Sequence, residues 1–142
     1  MPRPTQFSRL YLWIGGLALA ASFASGILLW LADMERRANF EPPAWAHGAR
    51  LAHGWLTPVL CCAFGYLLHH HIPRGWQMKA NRWSGAALTS LCAALIITGF
   101  GLYYSNWRAF FFWTHLVLGL LLVPALAGHW LGARKWSRNF KG

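Results

Sequence analysis

The feature that most constrains this chain is the spacing of its charges. Four long stretches carry no formally charged side chain: Leu10 to Ala32, Leu51 to Pro73, Trp83 to Trp107 and Ala109 to Ala133. A helix crossing a hydrocarbon core roughly 30 Å thick needs about 20 apolar residues, and each stretch exceeds that. In lipid every backbone amide and carbonyl must be satisfied within the protein, which leaves helices and closed barrels. None of the stretches alternates apolar and polar residues with a period of two, so they are helices rather than barrel strands. The fold expected is all-α, an integral membrane four-helix bundle running up-down-up-down, because short connections make successive helices antiparallel neighbours. Its spans are expected at about 10–32, 48–72, 84–104 and 109–132, within one transmembrane domain over residues 1–142. With 56% apolar and 11% charged residues, the composition lies well outside the soluble range.

The first stretch follows Arg3 and Arg9 and holds small residues between Ala18 and Ser25, as a cleaved leader would. A leader's apolar region is only about 7–15 residues, however. Here it continues through Ile27, Leu28, Leu29, Trp30 and Leu31, which points to a retained span.

The net charge of +10 would raise the question of nucleic acid in a soluble protein. Here its distribution speaks of membrane orientation instead. Arg3, Arg9, Arg74, Lys79, Arg82, Arg134, Lys135, Arg138 and Lys141 occupy the N-terminal tail, the second loop and the C-terminal tail, which share one side of a four-span chain. The opposite side has only Arg36, Arg37, Arg50 and Arg108, with the three acids Asp33, Glu35 and Glu41. This bias predicts both termini in the cytoplasm, and no nucleic-acid partner. The ten tryptophans cluster toward span ends, as interfacial aromatic belts do.

Helix two is expected from about Ala44, started by Pro42-Pro43, to Ile72, stopped by Pro73 and Gly75, with a bend at Pro58. Ser25-Gly26-Ile27-Leu28-Leu29-Trp30 in helix one resembles Thr98-Gly99-Phe100-Gly101-Leu102-Tyr103 in helix three. Each is followed by a helix with one histidine near its outer end and another near its inner end, as a duplicated two-helix unit would give. Cys61, Cys62 and Cys92 lie in spans and read as small packing residues; no C-x-x-C-H sequence provides for covalent haem.

Seven histidines in so short a membrane chain need a reason, since ionisable groups within spans are costly and usually functional. His115 and His129 are 14 residues apart. They therefore share one helix face, about 40° apart in phase and about 21 Å apart along the axis. No single ion bridges that distance, but two stacked cofactors could each take one ligand from this helix. Haem iron takes an axial ligand on each face, so helix two would supply the others. His53 lies about two residues inside the outer boundary and His115 about six, a rough match in depth, and the triplet His69-His70-His71 approaches the depth of His129.

Within the triplet, phase relative to His53 is about 160° for His69, about 100° in the opposite sense for His70 and near zero for His71. Depth disfavours His71, the closest to the exit, and the order of preference is His70, His71, His69. The alternative for each is plain packing: His47 reads as an interfacial hydrogen-bonding residue, and the triplet also reads as a basic anchor. Structural zinc is the competing ligand chemistry, but it wants clustered cysteine and histidine, and here the cysteines stand at other depths. Gly54, Gly65, Gly119, Ala125, Ala127 and Gly128 would allow close approach of helices or of a flat macrocycle. Arg50 and Arg108 at one boundary, and Arg74, Arg82 and Arg134 at the other, suit haem propionates.

Through Trp113-x-His115-x-x-x-Gly119, the following His129, and Thr98-Gly99-x-x-Leu102-Tyr103, the chain resembles the bacterial four-helix di-haem cytochromes b. These include the membrane subunits of nickel–iron hydrogenases and formate dehydrogenases and the cytochrome b-561 type. Members often place a ligand on helix one, which has no histidine here. The resemblance implies two non-covalent b-type haems, and the histidine spacing assigns His53 and His115 to the outer iron and His129 with His70, or His71, to the inner one. It further implies a bacterial inner-membrane subunit relaying electrons between a redox partner and quinone or another acceptor. The contrasting expectation is a cofactor-free accessory or assembly subunit, with its histidines used for packing.

Overall fold

The computed structural model describes residues 6–77 and 81–139. Arg3, Lys79 and Lys141, three of the cations behind the orientation argument, lie outside the described residues, as do the side chains of Arg9 and Arg138. The described chain is all-α: α1 Gln6–Asn39, α2 Ala46–His70, a short α3 Ile72–Gln77, α4 Arg82–Tyr104 and α5 Arg108–Asn139. Four helical segments are long and apolar enough to cross a membrane: Leu10–Asn39, Ala46–Gln77, Arg82–Tyr104 and Arg108–Lys135.

Two helices outrun the charge-free stretches that define them. α1 continues seven residues past Ala32 to Asn39. Asp33 sustains that extension, accepting from Arg36 and Arg37 at 2.8 Å each, one turn further along the same face. Phe40, with φ of 63°, then turns the chain out of the helix. α5 likewise runs through Gly132 into its basic end, where positive charge favours a helix C-terminus.

α2 contains Pro58 without interruption and stops at His70. Pro73 has no N–H to give the His69 carbonyl, and the break falls one turn before it. The backbone nearly bridges the gap, with His71 N–H donating to Leu67 at 2.9 Å and Gly75 N–H donating to His71 at 3.0 Å.

Two compact units divide the chain, residues 1–65 and 66–142. In the first, α1 and α2 run antiparallel: a Cβ added to Gly15 would lie 3.3 Å from Ala63 Cβ, and Tyr11 O–H donates to the Cys62 carbonyl at 3.1 Å. In the second, α4 and α5 pair antiparallel, Gly101 receiving the Phe111 ring where any Cβ would overlap it. Among the described residues the buried apolar ones are small except for Leu122: Ala18, Ala32, Ala46 and Ala49. Large side chains such as Trp13, Leu17 and Trp55 point outward. Lipid is as apolar as leucine, so small residues at helix contacts and large ones facing out is the distribution a membrane protein adopts.

Candidate histidine site

Burial separates the histidines into two groups. His53, His115 and His129 are half-buried; His47, His69, His70 and His71 are exposed. Each half-buried ring is held in the same way, by a hydroxyl residue followed by glycine on the antiparallel neighbour.

In the first unit, His53 Nδ1 lies 3.0 Å from Ser25 Oγ and 3.0 Å from the Ser22 carbonyl. Ser25 is 6% exposed and donates its own proton to that same carbonyl at 2.9 Å. A carbonyl can only accept, so Nδ1 carries the ring proton and Nε2 the lone pair. Gly26, the next residue, gives the ring room: a Cβ there would stand 3.3 Å from His53 Cε1.

The second unit contains the arrangement twice. His115 Nδ1 lies 3.0 Å from Thr98 Oγ1, whose proton goes to the Ala94 carbonyl at 2.8 Å. With that proton on the carbonyl, the oxygen is an acceptor for Nδ1–H, and Gly99 faces Cε1 at 3.5 Å by the same measure. His129 Nδ1 lies 3.0 Å from Ser84 Oγ, which donates to the Asn81 carbonyl at 3.0 Å, and Gly85 faces its Cε1 at 3.6 Å. Ser84 and Thr98 are 14 residues apart on α4, as His115 and His129 are on α5. Both helices thus return to the same face after four turns, and two rungs form about 21 Å apart.

Asn81 adds a clip to the lower rung. It precedes α4 in the left-handed conformation, φ 56°, which asparagine tolerates better than most residues. Its side chain does not cap α4; the amide donates to the His129 carbonyl at 2.7 Å. The 3.4 Å approach of the same nitrogen to His129 Nδ1 follows from that bond. Gly132 leaves the space, since a Cβ there would come within 2.8 Å of Asn81 Oδ1.

No family model, no curated protein and no solved structure matches this chain. Its chemistry must therefore be read from the rungs and what surrounds them.

Of the triplet, His71 meets His129, with ring centres 6.2 Å apart. His70 is engaged elsewhere, its ring 4.5 Å from Tyr66 and 4.6 Å from His69. Among the described residues no group of three or more His, Cys, Asp or Glu could hold a metal ion, so the multi-ligand set of a structural zinc site is not assembled there.

The glycines singled out by the sequence sit differently from those that pack on rings. Gly54, Gly65, Gly119 and Gly128 face open space, whereas Gly26, Gly85 and Gly99 border imidazoles. Among the boundary arginines, Arg134 stacks on Trp130 at 3.4 Å, and Arg82 lies over Trp76 at 5.6 Å. Arg82 Nε is buried with no hydrogen-bond partner among the described residues. A buried donor left unmatched costs about 1–3 kcal/mol, more when charged, so this one calls for an acceptor. It stands two residues from Ser84.

The hydroxyl–glycine pairs and Asn81 were not identified as site residues from the sequence. The signal was present, since Ser84-Gly85 and Thr98-Gly99 repeat the 14-residue interval of the histidines on the facing helix.

Proposed function

We propose that this chain is a membrane di-haem b-type cytochrome that relays electrons across the bilayer between a redox partner and the quinone pool or another acceptor. His53 and His115 would ligate the outer iron, and His129 the inner one. For the inner iron's second ligand the reading takes His71, the triplet ring that approaches His129, in place of His70.

One observation carries the proposal. Three half-buried imidazoles on spanning helices have Nδ1 3.0 Å from a hydroxyl oxygen; with that oxygen's proton on a backbone carbonyl, Nδ1 donates and the lone pair is on Nε2. Metal-bound histidines almost always donate their other ring N–H to such an acceptor, which fixes the tautomer and raises ligand basicity. Packing alone does not require the same hydroxyl–glycine device three times. The donor set suits haem further in its uncharged nitrogen ligands, in the open space at Gly119 one turn from His115, and in the unmatched Arg82 Nε, which a propionate would satisfy.

When bound, the haems would supply the one-electron chemistry, while the chain holds, spaces and tunes them. The reading agrees with the resemblance to the bacterial di-haem cytochromes b. With it go a bacterial inner-membrane location and cytoplasmic termini.

The deciding experiment is a reduced-minus-oxidised spectrum with haem quantification on protein expressed with ample haem. Two b-type haems per chain are expected, falling to one in His115→Ala and in His129→Ala. Absence of b-type bands would favour the cofactor-free accessory subunit.

A further inference from the structure

The proposed ligands are not equally secured. His53, His115 and His129 each have an oxygen acceptor at Nδ1. The described contacts of His71 are of a different kind. Its backbone stays in the helical ladder at the α2–α3 break, its ring is exposed, and the ring's one described contact is the His129 ring. Among the described residues no acceptor meets His71 Nδ1. Loss of such a second partner typically weakens a metal-bound histidine by about 10–100-fold. The neighbours are poor substitutes, since His69 and His70 pack on one another and His70 on Tyr66.

Opposite His71 the situation is reversed. His129 is held at its ring by Ser84 and at its backbone carbonyl by Asn81, and Asn81 also accepts the Ser84 proton. One proposed ligand of the inner iron is fixed at two atoms, whereas the other is exposed and has only a ring contact among the described residues.

We propose, resting on the di-haem reading, that His71 is a releasable ligand and that the inner haem alone exchanges it for a small exogenous ligand such as carbon monoxide. The exchange is redox-neutral: the bond from His71 Nε2 to iron breaks, Nε2 keeps its electron pair, and a bond from iron to the incoming ligand forms. His129 stays in place throughout. His53 and His115, each with an oxygen at Nδ1, keep their proposed iron bonds.

The test uses the full chain in detergent, with haem counted, reduced with dithionite and exposed to carbon monoxide. One carbon monoxide per two haems is expected. His71→Ala should keep both haems and bind the gas about 10-fold or more faster, because no ligand need leave first. His70→Ala should bind it as the parent does. Two haems with no uptake, uptake at both, or a haem lost from His71→Ala would overturn the releasable ligand while leaving the cytochrome standing. A chain without haem would overturn the cytochrome reading itself.

Discussion

Thr98 Oγ1 stands 3.0 Å from His115 Nδ1 while its own proton is given to the Ala94 carbonyl, 2.8 Å away on the same helix. The threonine is 7% exposed, so water does not compete for this oxygen. Its orientation is set by α4 before α5 contributes anything, and the imidazole meets an acceptor already aimed.

Replacing that oxygen tests its role on the proposed ligand. Thr98→Val keeps the shape and removes the acceptor, so His115 becomes a less basic donor. The outer haem should bind about 10–100-fold more weakly, and its midpoint potential should rise because the oxidised iron loses more stabilisation. Thr98→Ser should restore both, as read by redox titration with haem quantification.

Asn81 allows strain to be separated from contact. Asn81→Gly removes the clip to His129 and relieves the positive φ; Asn81→Ala removes the clip and keeps the strain. Both should weaken retention of the inner haem and spare the outer one, with alanine the less stable protein by about 1 kcal/mol. Equal retention of both haems in Asn81→Gly would remove Asn81 from the site.

Gly101 tests helix packing independently of any cofactor. A Cβ there overlaps the Phe111 ring, whereas one at Gly16 meets nothing within 4 Å. Gly101→Ala should destabilise the α4–α5 pair by about 1–3 kcal/mol. Gly16→Ala should be neutral or slightly stabilising, since alanine favours helix. Thermal unfolding in one detergent compares them.

Orientation can be read with reporters. With cytoplasmic termini, a fluorescent protein fused at the C-terminus should mature, and alkaline phosphatase fused there should stay inactive. Phosphatase inserted after Asn39, between α1 and α2, should be active. The reverse pattern would invert the protein.

The spans were legible because charge is nearly absent from lipid-facing helices, a signal that needs no knowledge of contacts. Helix ends were less so. The Asp33 ion pairs and the basic end of α5 prolong helices beyond the apolar runs, which hydropathy does not register. The triplet was harder still. Phase counted from His53 puts His71 on the same face, whereas depth along the chain ranks it behind His70; the ring contact between His71 and His129 is a matter of tertiary placement that neither count registers. Ser25-Gly26 and Thr98-Gly99 are legible as a repeat but not as partners of histidines, because serine and threonine are unremarkable in spans until a facing histidine is found at the matching interval.

That matching interval has a consequence for assembly. Because Ser84 and Thr98 engage His129 and His115 on the same two helices, sliding α5 by a single turn would sever both attachments at once. A lone contact could be exchanged for a neighbouring one; a pair set four turns apart admits one alignment. The newly inserted polypeptide can thus settle its helical hairpin at the correct offset unaided, and prosthetic groups would enter a frame already in register.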